Sequence, residues 1–316
     1  MKKALITGGA GFIGSNIVKR LLELYIETIV LDNLSSGSRE NLLDGAKFIE
    51  GDVCNRETLG QLMLGCDHIF HLAASVGNKR SIDNPFSDSL VNLLGTINVL
   101  EAAKNLGIKR IVFSSSAAIY GETYSLPIRE DHPQNPDTPY GISKLAAEKM
   151  CLVYNKLFGM QNVCLRYFNV YGLNQRYDTY GNVIPIFAQR IMQRKPLTIY
   201  GDGEQSRDFI NVNDVATANL QAAQARDASG VFNIASGTKV TVNSLAALIQ
   251  EISGVDVGLA HAQPRLGDVR ASLADIRAAK EAFGFSPSIA LRDGLTEYVA
   301  WVREESVRIK HKGRGL

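Results

Sequence analysis

No stretch of this chain approaches the roughly eighteen consecutive apolar residues that a membrane-spanning helix needs. The amino end, MKKALITGGAGFIG, carries two lysines, but glycines break its apolar run at once, so it does not read as a secretory leader. Cysteine is scarce. Cys54, Cys66, Cys151 and Cys164 sit at no metal-ligand spacing and suggest no disulfide framework, which points to reduced, mostly buried thiols in a cytosolic (cytoplasmic) protein without a metal site. An excess of either charge is also missing. A formal net charge of +2 gives no electrostatic case for a nucleic-acid partner, and the one basic stretch, Arg308 to Arg314, reads as a solvated end. Neither a repeat nor a low-complexity linker is visible. What remains is an ordinary globular composition on 316 residues, long enough to bury a large core without covalent staples.

The first half alternates between two periods. Short β-rich runs at Lys3–Thr7, Glu27–Asp32, Lys47–Gly51, His68–Leu72, Arg110–Ser115 and Asn162–Arg166 are nearly continuously apolar, as in strands covered on both faces. Helical patterns lie between them. Phe12–Leu24 places Ile13, Ile17, Leu21 and Leu24 on one face, and Asn92–Lys104 and Tyr140–Leu157 behave similarly. This rhythm predicts an α/β fold, a doubly wound parallel sheet with right-handed crossovers. After about residue 168 the rhythm loosens. Loops are expected at Gly172–Gly181 and Tyr200–Arg207, strands returning to the main sheet at Phe209–Val212 and Val231–Ile234, and closing helices at Val242–Ile252 and Asp293–Glu305. The division is therefore a doubly wound region over 1–168, with returns near 209–235, interleaved with a smaller α/β lobe over 169–316.

The strongest local feature is Thr7-Gly8-Gly9-Ala10-Gly11-Phe12-Ile13-Gly14, which follows a strand and opens a helix. Gly8 permits the tight turn, Gly11 lets backbone approach a pyrophosphate, and Gly14 lets helix and strand pack closely. The helix N-terminus supplies N–H groups and a favourable dipole to phosphates. Asp32 ends the next strand, 18 residues after Gly14. An acid there accepts from an adenosine ribose and repels a 2′-phosphate, favouring NAD over its phosphorylated form. Asp52, after the third strand, is either an acceptor for an adenine amine or a helix N-cap. The small residues of Leu72-Ala73-Ala74 would let a ribose–phosphate chain pass.

Ser114-Ser115-Ser116 ends the fifth strand, and Tyr140 and Lys144 share a helix face four residues apart. A tyrosine with a pKa of about 10 is a poor base at neutral pH. A nearby ammonium and a positive nicotinamide ring would favour its phenolate. Tyr140 would then take a proton from a sugar hydroxyl while carbon 4 gives up hydride, with Ser116 holding that hydroxyl in line.

These residues resemble the extended short-chain dehydrogenases/reductases along nearly the whole chain. The matches are TGGAGFIG, HLAA, SSSAAIYG, PYGISK, RYFNVYG (Arg166–Gly172), YGDGEQSRDF (Tyr200–Phe209) and PRLGD (Pro264–Asp268). The resemblance implies NAD held also by Phe12, Ile13, Asn33, Val53, Asn92, Ser114 and Tyr167, beside the catalytic Tyr140 and Lys144. It implies a UDP-sugar substrate as well. Asn169 would touch its diphosphate or sugar, Arg207 and Arg265 its phosphates, Asp268 its ribose, Tyr200 its base, and Val76 and Val183 line the same site. Dehydratases of the family carry an acid just after the catalytic Ser or Thr, and the decarboxylases carry a Glu nearby. This chain has Ala117 and Ala118 there, so the resemblance implies 4-epimerisation through a 4-keto sugar. Ser272 falls where glucose-restricted members carry a bulky Tyr, leaving volume for an acetamido group at carbon 2. UDP-GlcNAc/UDP-GalNAc, beside UDP-Glc/UDP-Gal, is the expectation. The alternatives are a UDP-glucuronate epimerase, which Arg80 leaves open, another nucleotide-sugar reductase or dehydratase, and a non-catalytic NAD sensor. Ser75-Val76-Gly77, with Arg80 and Ser81, is expected as a loop over the sugar. A homodimer joined through the helices near Asn92 and Tyr140 is also implied, and no membrane partner is expected.

Overall fold

Apolar residues on both faces of a strand demand cover on both faces, and the strands of the first half are covered in that way. The strands are β1 (Lys3–Thr7), β2 (Glu27–Asp32), β3 (Lys47–Glu50), β4 (His68–His71), β5 (Arg110–Ser116), β6 (Val163–Tyr167), β7 (Asn169–Tyr171), β8 (Leu197–Tyr200), β9 (Ser206–Asn211), β10 (Gly230–Ile234), β11 (Lys239–Thr241) and β12 (Leu259–Ala262). The helices are α1 (Phe12–Glu23), α2 (Arg56–Leu62), α3 (Asn78–Asp83), α4 (Pro85–Ser89), α5 (Gly95–Asn105), α6 (Pro139–Phe158), α7 (Val183–Met192), α8 (Val212–Gln224), α9 (Val242–Ser253), α10 (Arg277–Phe283) and α11 (Leu291–His311). The computed structural model describes residues 1–177, 181–264 and 269–311, the side chains of 309–311 excepted.

Seven parallel strands form the main sheet in the order β10-β6-β5-β4-β1-β2-β3. Successive residues divide between two cores. Ala4, Ile6, Val30, Val112 and Leu165 pack with α1 and α8. Leu5, Ile29, Leu31, Ile111, Phe113 and Cys164 face the layer of α2, α5 and α6. This period of two, with both phases apolar, is the doubly wound arrangement that the sequence predicts. On α1, Ile17 and Leu21 are fully buried, each contributing about 2 kcal/mol of transfer free energy. Leu24, expected on the same face, is 51% exposed because the helix ends at Glu23.

The smaller lobe has its own core, including Tyr171, Ile184, Phe187, Leu197, Phe209 and Leu245. The strand expected at Phe209–Val212 is β9, and it does not return to the main sheet. It pairs parallel with β7 and antiparallel with β11. The outer edge of β6 is already taken by β10, from Gly230 opposite Val163 to Ile234 opposite Tyr167, so no ladder is free for β9 there. β8 and β12 make a further two-stranded sheet. Residues 78–83, expected in a loop, form α3. Asn92, expected at a helix start, lies in a π-helical stretch over Leu90–Leu94 that runs into α5. No described helix is long and apolar enough to cross a membrane, and all four cysteines are free, with only Cys54 partly accessible.

Candidate active site

Parallel strands deliver their loops to one edge of the sheet, where ligands bind in folds of this kind. The loop after β1 is shaped by absent side chains. Gly8 has φ +74°, and a Cβ there would lie 2.6 Å from the Ala73 nitrogen. At Gly14 a Cβ would stand 2.1 Å from the Gly8 carbonyl oxygen, and at Gly11 3.1 Å from the same atom. Gly11 is the N-cap of α1 and contributes no side-chain cap; Phe12 and Ile13 follow it, and no acid sits in the first turn. The positive end of α1 therefore opens from a tight glycine turn with no side-chain cap and no acid to oppose an anion.

Asp32, buried at the end of β2, braces this loop. Its Oδ2 accepts the Ala10 N–H at 2.9 Å and its Oδ1 the Leu34 N–H at 2.8 Å. Asp52 is not a helix cap: Asn55 caps α2 through Thr58. Instead Asp52 accepts from the Cys54 N–H and from Asn33 Nδ2, both at 2.8 Å, joining the ends of β2 and β3. Burial raises its pKa, but these hydrogen bonds, the backbone one first, leave it below the usual range. Val53 is buried in the core, against Gly95. Leu72 and Ala73 hydrogen-bond back to Thr7, at 3.0 Å through its carbonyl and 3.3 Å through its hydroxyl, and Ala74 follows them.

Ser116 ends β5, and its Oγ accepts the Ala118 N–H at 3.2 Å. Thr138 caps α6, Pro139 occupies its first position, and Tyr140 follows. Gly141 is required by contact: a Cβ there would lie 2.6 Å from the Ala118 carbonyl oxygen. That close approach brings α6 onto the end of β5, where the Tyr140 and Ser116 hydroxyls hydrogen-bond. One turn on, Lys144 is 2% exposed. Its Nζ lies 4.6 Å from the Phe113 ring centre, a cation–π contact, and makes no hydrogen bond within the described residues.

The phenolate expected at Tyr140 is one favoured by the cofactor's positive ring, and the chain by itself sets a different starting point. Burial pushes the Tyr140 pKa up to about 12, the Ser116 hydrogen bond pulls down, and Asp88 adds to the rise. Burial also pushes Lys144 down to about 8, against the opposing pull of Cys151, Asp88, Cys164 and Glu148. In the chain alone the site holds a neutral phenol, because desolvation outweighs the Ser116 hydrogen bond.

The other expected residues divide. Tyr167 is buried, with its hydroxyl 2.9 Å from Asn219 Oδ1 and also paired with Ser114. Asn92 is committed to protein: Nδ2 reaches the Ser75 carbonyl and Asp88 Oδ1, each at 3.0 Å, and Oδ1 accepts the Ser75 N–H. Val76 is exposed beside it. In the lobe, Asn169 opens β7 opposite Phe209, Val183 opens α7 and Tyr200 ends β8. Arg207 lies on β9, its NH1 2.8 Å from the Ser206 carbonyl. Neighbouring Asp208 points to the other face, where it accepts from Ser236, Gly237 and Ala274. Ser272 is buried and its N–H donates to the Ser206 carbonyl at 3.0 Å. Thr123 and Ile128, on the segment that follows Ser116, bond to Ala271 and Leu273 on either side of it. Arg265 and Asp268 lie outside the described residues. Two residues that periodicity did not single out, Asp88 and Ser143, are buried beside the Tyr/Lys pair. The available signal was a serine one residue before Lys144 on a helix whose neighbouring positions are apolar or catalytic.

A parallel sheet with a glycine cradle at its C-terminal edge, and a Ser/Tyr/Lys cluster beside it, defines a nucleotide-dependent oxidoreductase-type site. The sequence matches the NAD-dependent epimerase/dehydratase family over residues 4–235, and the chain belongs to that family, whose cofactor is NAD. It is 38% identical over 304 residues to the putative UDP-glucose 4-epimerase of Methanocaldococcus jannaschii, covering 96% of this chain and 99% of that one. Among solved structures it is similar to the UDP-glucose 4-epimerase of Thermotoga maritima with UDP-glucose, with TM-score 0.93, 39% identity and 96% and 99% of the two chains covered. It is equally similar in fold to the UDP-N-acetylglucosamine 4-epimerase of Methanobrevibacter ruminantium, in complex with UDP-N-acetylmuramic acid, with TM-score 0.93, 36% identity and the same coverage. The expected isomerase class agrees with those names.

Proposed function

We propose that this chain is a UDP-hexose 4-epimerase that accepts N-acetylated as well as plain hexoses. The observation that carries the reading is the Ser116–Tyr140–Lys144 cluster, with alanine rather than a carboxylate at 117 and 118. The turn fits NAD: Gly8, Gly11 and Gly14 let the loop fold tightly against residues 72–73 and onto itself, and the N-terminus of α1 that it opens has no side-chain cap to compete with a pyrophosphate. A buried ammonium without a hydrogen-bond acceptor, Lys144, is what a ribose hydroxyl would satisfy. Asp32 keeps acceptor capacity for the other ribose, and Asp52 with Asn33 stands at the adenine end, beside Val53. Bound NAD supplies a hydride acceptor and donor, and its positive ring lowers the Tyr140 pKa toward neutrality.

Tyr140 then takes the proton from the 4-hydroxyl and returns it after the keto sugar has turned. Ser116 holds that oxygen in line, and Lys144 stabilises the phenolate. Without an acid at 117 or 118, nothing is placed to drive elimination from the keto sugar. Arg207 and Asn169 serve the diphosphate, with Val76, Val183 and Tyr200 around the sugar and base; Arg265 and Asp268 complete the UDP site. Small Ser272, beside β9, leaves room at carbon 2. A homodimer is part of the same reading, supported by exposed Leu90, Leu94, Ile142, Val153 and Leu157 on the π-helical stretch and α6.

The test is incubation of the purified protein with UDP-GlcNAc and, separately, UDP-Glc, without added cofactor. Galacto epimers form from both. Ser272→Tyr abolishes only the N-acetylated reaction. No conversion of an N-acetylated sugar by the unaltered chain overturns the permissive pocket.

A further inference from the structure

The segment after β4, which the proposed function sets over the sugar, is tied to the catalytic helix at both ends. At one end, Asn92 grips Ser75 through both backbone atoms, its Oδ1 2.8 Å from the Ser75 nitrogen and its Nδ2 3.0 Å from the Ser75 oxygen. Asn92 Nδ2 is also 3.0 Å from Ser143 Oγ and 3.0 Å from Asp88 Oδ1. The second carboxylate oxygen of Asp88 accepts from Ser143 Oγ at 2.5 Å. At the other end, Thr138, the N-cap of α6, donates to Asn78 Oδ1 at 3.2 Å. Asp88 is fully buried and Ser143 is 3% exposed. Ser143 lies between Tyr140 and Lys144 on the same helix. A buried carboxylate that forms no ion pair among the described residues needs such donors to persist, and these donors belong to the two elements that must keep their spacing.

We propose that Asp88 and Ser143 are positioning residues. They clamp residues 75–78 to α6 through Asn92, so that the wall over the sugar keeps a fixed distance from Tyr140 while the keto sugar turns. This rests on the epimerase reading for its kinetic arm only. Neither residue touches the reacting atoms. Their hydrogen bonds set where the wall stands, and a wall that moves lets the keto sugar leave before hydride returns.

Ser143→Ala and Asp88→Ala are compared with Asp88→Asn, whose amide can donate to Ser143 Oγ while its oxygen still accepts from Asn92. Amide hydrogen exchange across residues 75–78 rises about tenfold in both alanine variants, the loss of roughly one hydrogen bond, and returns toward the unaltered rate in Asp88→Asn. kcat falls on the order of tenfold to a hundredfold, KM moves far less, and the near-ultraviolet band of reduced nicotinamide grows during turnover. Unchanged exchange in the alanine variants overturns the clamp, as does Asp88→Asn exchanging as fast as Asp88→Ala. A raised KM with intact kcat overturns it too. If Asp88→Ala does not fold, Ser143→Ala, which loses one hydroxyl, decides. An inactive unaltered protein would sink the epimerase reading, and the exchange result would still judge the clamp.

Discussion

At the edge of the seven-strand sheet, Thr7, Asp32, His71 and Ser116 are each the last residue of a strand and are placed by parallel backbone pairing. In the lobe, buried carboxylates do that work. Asp208 draws Ser236, Gly237 and Ala274 onto β9, and Asp214 accepts from the Ser288 and Ile289 backbone ahead of α11. Pairing along a strand shares the load over many equivalent bonds. A carboxylate node concentrates it on one side chain. The nucleotide end should therefore be robust to single changes except where space is lacking or where Asp32, Asp52 and Asp88 tie its loops, whereas the lobe, with short sheets, should fail at its nodes.

The largest expected effect tests chemistry on the robust side. Tyr140→Phe loses roughly 10²–10⁴-fold in turnover while the protein retains its cofactor, read by product separation and by cofactor extraction. Full activity would overturn the assigned base. Next comes the lobe. Asp208→Ala removes the acceptor shared by Ser236, Gly237 and the buried Ala274 N–H and should cost about 2 kcal/mol, with UDP binding weakened and cofactor content kept. Denaturant unfolding and UDP titration check both halves, and a variant that sheds cofactor but still binds UDP would reverse the comparison. Gly14→Ala is the matching test of space at the sheet. Its Cβ would meet the Gly8 carbonyl at 2.1 Å, so cofactor content drops sharply while UDP binding survives.

The smallest effect concerns Lys144. Its folded pKa of about 8 lies below the ordinary 10.5 because it is buried. A lysine depressed by folding sheds its proton before the unfolded chain does, so this group makes stability rise as pH climbs from about 8 to 10.5. Lys144→Met should abolish that rise in cofactor-stripped protein and leave it at least as stable at neutral pH. Urea unfolding at neutral pH and within that window measures it.

Strands β1 to β6 were legible because both faces are apolar, and the glycine loop because its spacing is tied to backbone contact. The Ser/Tyr/Lys cluster was legible because strand end and helix face are sequence-local. Less of the rest could be read. α8 gave little helical signal because its packing face against α1 is built largely of alanine. β9 is short, with Phe209 and Ile210 its apolar residues, and nothing local distinguishes pairing with β7 from pairing with β6. The raised pKa of Tyr140 in the chain alone was not legible, because burial is a property of the assembled fold. Asp88 and Ser143 are 55 residues apart, and only the packing of α4 on α6 makes them partners.

The main sheet takes its outermost strand, Gly230–Ile234, from sequence that follows the first strands of the lobe. During synthesis the nucleotide end cannot close until the chain has passed residue 234. Before then the β6 edge presents unpaired backbone amides and carbonyls, a template for sticking to other chains. A fragment cut near Phe168 would carry the glycine loop and the catalytic cluster and still be prone to aggregate. The two parts of this protein are one piece for a cell to make, and a shortened version intended only to bind nucleotide should keep residues through Ile234.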